Sequence, residues 1–306
     1  MAACPVVAIR PVCSVCAARS PYRIAALAHQ SLRAEAELTP KPGLVDRRGS
    51  GSHKDLSLEL MLRSANTLEP YFALMGLAAE KLDLKLSLRQ MLVAIGRAAE
   101  CAMLKATQGS NSHKGAIWAL GLLVTAAVRA ESQSPEEITA IAAGLAQVLK
   151  RTQPELITHG DIVRERYGVG GAREEASNGF PHVLRYGLPA LRLQRSAGYP
   201  EEVCRLNALL SLMSEVDDTC LVYRGGWDGL QTVKAGALDA LYAGGYGTFK
   251  GRVLLRKLDR ELVERQLSPG GSADLLAATI FLDAVDSGAV AVRSDRSELE
   301  EIDGAA

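Results

Sequence analysis

The sequence predicts an all-α protein, on three observations. Stretch after stretch places apolar residues three and four apart, the spacing of one buried helical face. Caps and prolines mark where these stretches begin and end. Alternation of period two is confined to a short candidate strand at residues 6–9. A single compact multi-helix domain of about ten helices is expected, with Gly-rich loops forming the site.

Taken in order, residues 1–19 show no clear period and are expected to form a loose arm. Ser20-Pro21 then opens a helix to about residue 37, because Ser caps and Pro suits the first helical position. Thr39-Pro40-Lys41-Pro42-Gly43 stops it, since each proline biases its predecessor away from helix. A polar loop follows to Asp55. Over residues 57–81 the face Leu58, Met61, Leu62, Ala65, Leu68, Phe72 and Met75 predicts a helix, with a kink at Pro70. Helices are expected next over 87–106 and 114–130, the latter apolar enough to lie at the centre.

Ser134-Pro135-Glu136-Glu137 is a capping box that should open a helix to about residue 151. The text then turns polar: Thr158-His159-Gly160-Asp161, Arg164, Arg166, Tyr167 and the glycines 168, 170 and 171 predict a site wall. Further helices are expected over 180–197, 200–216, 227–243, 248–266 and 272–287, with a charged tail after them. The organisation expected is therefore an arm (1–19), a catalytic domain (20–288) and a tail (289–306).

Bulk properties narrow the function. A chain of 306 residues, 48% hydrophobic, can bury a full core. Lys+Arg and Asp+Glu balance at 35 each, so no global field favours nucleic acid or membrane. Any anion site must be local, and Lys41, Arg47, Arg48 and Lys54 form a candidate cluster. No run of 18 uncharged apolar residues and no leader pattern occurs, so a cytoplasmic protein is expected. Six cysteines include Cys13-x-x-Cys16, but no second pair has zinc-ligand spacing. They are expected to be reduced thiols, the first pair keeping a weak metal or redox option.

One string occurs twice: Gly49-Ser50-Gly51-Ser52-His53-Lys54 and Gly109-Ser110-Asn111-Ser112-His113-Lys114. Each ends a loop and precedes a helical stretch. Helix N-termini carry unpaired N–H groups and positive dipole ends, so small residues followed by Lys suit an anion. Ordinary N-capping explains such residues too. Neither copy has Walker A spacing, so a phosphate site here belongs to another architecture.

Thr39-Pro40-Lys41-Pro42-Gly43-Leu44-Val45-Asp46, Gly51-Ser52-His53-Lys54-Asp55, His113-Lys114-Gly115-Ala116, Thr158-His159-Gly160, Asp217-Asp218-Thr219, Arg224-Gly225-Gly226 and Ser268-Pro269-Gly270-Gly271-Ser272-Ala273-Asp274-Leu275-Leu276 follow one another in that order. Together they resemble the triphosphoribosyl-dephospho-coenzyme A synthases, from about residue 25 to 285. The resemblance implies an all-α enzyme in which the 2′-hydroxyl of 3′-dephospho-CoA attacks C1′ of the ATP ribose, expelling adenine and retaining the triphosphate. The product is then passed to a transferase acting on the acyl carrier subunit of citrate lyase or malonate decarboxylase. The free-standing chain and its Asp-Asp-Thr-Cys-Leu wording favour the malonate decarboxylase branch.

That chemistry sets requirements. An oxocarbenium-like centre calls for a carboxylate near C1′ and help for the leaving base. A triphosphate calls for Mg²⁺ and cations. Lys41, Lys54, Ser112, His113, Lys114, Arg224, Gly225, Gly226, Gly270, Gly271 and Asp274 are candidate nucleotide contacts, Asp274 and the glycines being equally explained by capping and tight turns. Asp217 and Asp218 are the candidate Mg²⁺ ligands, although adjacent helical positions diverge by about 100° unless the helix ends there. Asp46, His53, Asp55, His159 and Asp161 are the catalytic candidates, and the general base stays open among them. His53, His113 and His159 lie in motif loops, while His29 and His182 lie on ordinary helical text. Two other readings stand: a metal-dependent all-α hydrolase of an ADP-ribosyl or nucleotide bond, and a non-catalytic adaptor for nucleotide or carrier protein. The oligomeric state is open, a homo-oligomer included.

Overall fold

The computed structural model describes residues 18–82, 86–150 and 159–289. In chain order the helices are α1 (Pro21–Glu37), α2 (Leu58–Lys81), α3 (Leu86–Ala106), α4 (Lys114–Arg129), α5 (Pro135–Lys150), α6 (His159–Tyr167), α7 (Gly171–Ser177), α8 (Leu188–Ser196), α9 (Glu201–Glu215), α10 (Thr219–Tyr242), α11 (Phe249–Glu264) and α12 (Gly270–Asp286). A π-helical turn at Val183–Gly187 leads into α8. The all-α expectation holds: among the described residues there is no strand. None of these helices is long and apolar enough to cross a membrane.

The most apolar helices are the innermost. In α4 every residue from Ala119 to Val128 is buried, and α12 is buried from Leu275 to Asp283, as helices without a polar face must be. α4 packs on α2, α5 and α12, and α1 lies over α2 and α12. One contiguous core runs from Ile24 to Val285 through almost all of these elements. The loops before α2, α4 and α12 meet, Ser110 touching Asp55 and His53 touching Ser268.

α2 spans Pro70 as a single helix, its buried Leu68, Phe72 and Met75 holding both halves against the core. The polar stretch expected as a site wall is helical at α6 and α7. Two expectations are modified. The segment 219–225, expected to end in a loop, is helical up to Gly226, whose φ of +60° and ψ of −161° break α10 in a region only glycine enters freely. The helix expected over 180–197 begins with the π turn. Its last residue, Gly187, meets α12 so closely that a Cβ would lie 2.3 Å from Thr279 Oγ1. The arm before residue 18, with Cys13 and Cys16, and the tail beyond 289 lie outside the described residues.

Candidate active site

The loop between α1 and α2 folds back on itself around two buried charges. Lys41 is 1% exposed, and its ammonium donates to Glu35 Oε1 at 2.6 Å, itself buried on α1. Asp46 is also buried and accepts from Lys41 N at 2.8 Å, from Arg48 N at 2.8 Å, and from the Arg48 guanidinium at 2.7 Å. Arg48 continues to Asp259 at 2.6 Å on α11. Two expectations change here. Asp46 has its oxygens filled by donors and serves as the keystone of the loop instead of a free base. Lys41 is neutralised in the interior instead of facing phosphate, because a buried ammonium must keep its carboxylate partner.

The two Ser-His strings are anchors of the same kind. In the first, Ser52 Oγ donates to the Leu267 carbonyl at 2.7 Å, and His53 Nε2 lies 2.9 Å from Ser268 Oγ, so the loop is stitched to the start of α12. His53 Nδ1 is 3.7 Å from Asp55 and 3.4 Å from Arg224, whose guanidinium also donates to the carbonyls of Ser52 and Gln266. Burial, then the Arg224 charge, pull the His53 pKa down, so its ring is neutral. In the second string, Ser112 Oγ donates to Ser64 Oγ at 2.8 Å, and that hydroxyl pairs with His113 Nδ1 at 2.8 Å. His113 is buried with Nε2 unpartnered, and burial followed by the Lys41 charge lowers its pKa to about 3. Ser112 Oγ and His113 Nδ1 are thus both turned to Ser64 on α2, while His113 Nε2 keeps no partner.

What the anchors leave in solvent are the lysines. Lys54 is exposed, and Lys114 is exposed with Glu100 at 3.3 Å. The two strings also meet, for Ser110 Oγ donates to the Asp55 carbonyl at 3.0 Å. Sixty residues of separation close into one rim carrying Lys54, Asp55, Lys114 and, through His53, Arg224.

The far wall is built from helix N-termini. Asp218 caps α10 by accepting from Cys220 N at 2.9 Å, and its other oxygen accepts from Ser272 N at 2.9 Å in the first turn of α12. Burial raises its pKa against those bonds. Asp217 turns away to Lys234 Nζ at 2.5 Å. The pair therefore does not converge, and among the described residues no cluster of three or more His, Cys, Asp or Glu is placed to hold a metal. Asp274 behaves differently. Its carboxylate lies over the N-terminus of α4, so near Gly115 that a Cβ there would be 2.0 Å from Oδ2, and it accepts from the Ala116 amide. Burial, and then the nearby charges of Glu35 and Asp218, raise its pKa well above the carboxylate range. Raised in this way, the carboxyl favours its protonated form, and a bound cation would favour ionising it.

The glycines divide similarly. Gly271 is opposite the Asp218 carboxylate, a Cβ there falling 3.0 Å from it. Gly270 is beside Cys220, a Cβ there falling 3.3 Å from its Sγ. Gly225 serves packing, with a Cβ only 2.5 Å from Leu267. The side chains of His159 and Asp161 lie outside the described residues, although α6 packs on α10 beside Gly226. His29, bound to Asn66 and Glu69, and His182, bound to Glu175, are structural as expected. Sequence reasoning missed Glu35, Ser64, Asp259 and Ser268, whose partners lie elsewhere in the chain.

The fold defines an all-helical protein whose motif loops are tied to one another and to the starts of α4, α10 and α12. The chain belongs to the CitG family, ATP:dephospho-CoA triphosphoribosyl transferase, whose model matches residues 21–292. A relative from Azotobacter vinelandii, called "Probable 2-(5''-triphosphoribosyl)-3'-dephosphocoenzyme-A synthase", is 51% identical over 267 residues, 86% of this chain and 91% of its own. Relatives of the same name from Pseudomonas savastanoi and Pseudomonas fluorescens are 49% and 50% identical, covering 86% and 87% of this chain and 91% and 92% of theirs. The chain is accordingly a transferase of the triphosphoribosyl-dephospho-CoA synthase type.

Proposed function

We propose that this protein moves the 5-triphosphoribosyl group of ATP to the 2′-hydroxyl of 3′-dephospho-CoA, forming the new C1′–O bond as the C1′–N bond to adenine breaks. The observation that carries this is the closed ring of contacts, Ser110 to Asp55, His53 to Ser268, and Asp274 to the α4 N-terminus, which joins the two lysine-bearing strings to a buried carboxyl group. Lys54, Lys114 and Arg224 hold the triphosphate. Asp274 is the residue that would hold Mg²⁺, which supplies charge neutralisation to the phosphates; one or two protein carboxylates suffice for that ion. His53, neutral and partly open, takes the proton from the attacking hydroxyl, while Asp55 beside it favours the imidazolium that results.

The product serves, in this reading, as precursor of the prosthetic group of the acyl carrier subunit of malonate decarboxylase, in the cytoplasm. Purified protein with ATP, 3′-dephospho-CoA and Mg²⁺ is expected to release adenine in equal amount to product, and to release none without dephospho-CoA. Adenine released without the acceptor would favour hydrolysis instead. His53→Asn is expected to lower kcat by at least about 100-fold with its melting temperature kept, the range of a lost general base. A kcat within a few-fold of wild type would remove His53 from that role.

A further inference from the structure

Two polyanionic substrates need two cationic places, and the rim described above supplies one. A second lies beside the Lys41 loop: a pocket of about 440 Å³ lined by Thr39, Pro40, Arg48, Glu202, Tyr246, Arg252 and Arg256. Its volume is in the range of small-molecule sites, roughly 300–1,000 Å³. Arg252 and Arg256 are one turn apart on α11, so their side chains share a face. Like charges so placed repel, and neither has a carboxylate partner among the described residues; Arg252 donates only to the carbonyls of Tyr246 and Gly247, at 3.2 and 3.3 Å. Arg48, by contrast, is paired with both Asp46 and Asp259. Two guanidiniums without an ion-pair partner, outnumbering the one carboxylate of the lining, Glu202, beside an aromatic ring match an anion joined to a flat heterocycle.

The pocket is joined to the Lys41 loop through Arg48. Arg48 donates to the Lys41 carbonyl at 3.3 Å, and the Lys41 ammonium points the other way, to Glu35. A ligand anchored at the arginines therefore sits against the loop that carries Ser52 and His53.

We propose that this pocket is the acceptor subsite: Arg252 and Arg256 hold the diphosphate of 3′-dephospho-CoA, with Tyr246 offering its ring to the adenine. This rests on the reaction proposed above. Glu202, the acidic member of the lining, supplies an acceptor for sugar hydroxyls. Calorimetric titration of the full chain with 3′-dephospho-CoA, with ATP and with inorganic pyrophosphate tests it. Arg256→Ala, an exposed position, and Arg252→Ala are each expected to weaken dephospho-CoA and pyrophosphate about tenfold while leaving ATP within about twofold. Unchanged dephospho-CoA affinity in both variants, or no binding of it by wild type, overturns the assignment, as does equal weakening of ATP. Adenine release by wild type is measured in parallel. Its absence would sink the reaction while leaving the pocket's affinities as measured, and its presence with unaltered acceptor KM in both variants would sink the pocket alone.

Discussion

At the scale of single residues, the cleft is governed by close approaches. Gly115 has no positive φ to require glycine, and within helices Ala is generally the better former. The reason for glycine is steric: a Cβ would lie 2.0 Å from Asp274 Oδ2. Gly115→Ala is therefore expected to push the carboxylate off the α4 N-terminus, lowering kcat/KM at least about tenfold while leaving thermal stability near wild type. Adenine release and a melting curve on the same preparation check this. A variant with wild-type kcat/KM would show that Asp274 does not act where it is placed.

At the scale of elements, Asp218 ties two helix starts together, accepting from Cys220 N on α10 and Ser272 N on α12. A single lost cap costs about 0.5–2 kcal/mol, so Asp218→Ala, which loses two, is expected to cost about 1–4 kcal/mol. Asp218→Asn keeps one acceptor oxygen and should lie between. Urea midpoints measure it, and an unshifted midpoint in the Ala variant would make the carboxylate a ligand group after all. This element also shows where sequence reading stopped. The Asp-Asp pair was legible as important, but Asp218 sits at the helix start and Asp217 just before it, so their side chains part to Ser272 and Lys234. The helices α1 to α5 were legible from their apolar spacing and caps, because those signals are local. The facing of Ser112 and His113 was not, since Ser64, on α2, decides it. Likewise Lys41 read as a free cation because Glu35 stood in helical text with nothing local to mark its burial.

At the scale of the molecule, the buried histidine links the whole fold to pH. His113 lies where α2, α4 and the Lys41 loop meet, and its folded pKa of about 3 is far below the unfolded value near 6.5. Between those values the unfolded chain holds a proton that the folded chain refuses, so stability rises with pH across that window. The slope from this group is about 1.4 kcal/mol per pH unit, or about 2 kcal/mol lost between pH 7 and pH 5. His53, also lowered, acts in the same direction. His182 does not mask it: raised by its hydrogen bond to Glu175, it stabilises fully below about pH 6.5 and loses that contribution only as pH climbs through its folded value. Urea unfolding at pH 5, 6 and 7 should therefore show wild-type stability falling with acid, and His113→Asn, although weaker at pH 7, should fall less steeply by roughly one proton. An identical slope in the variant would mean that the imidazole is protonated within the fold. The Lys41–Glu35 pair next to it would then have to share its buried carboxylate with a second cation, in conflict with the 2.6 Å bond that fills it.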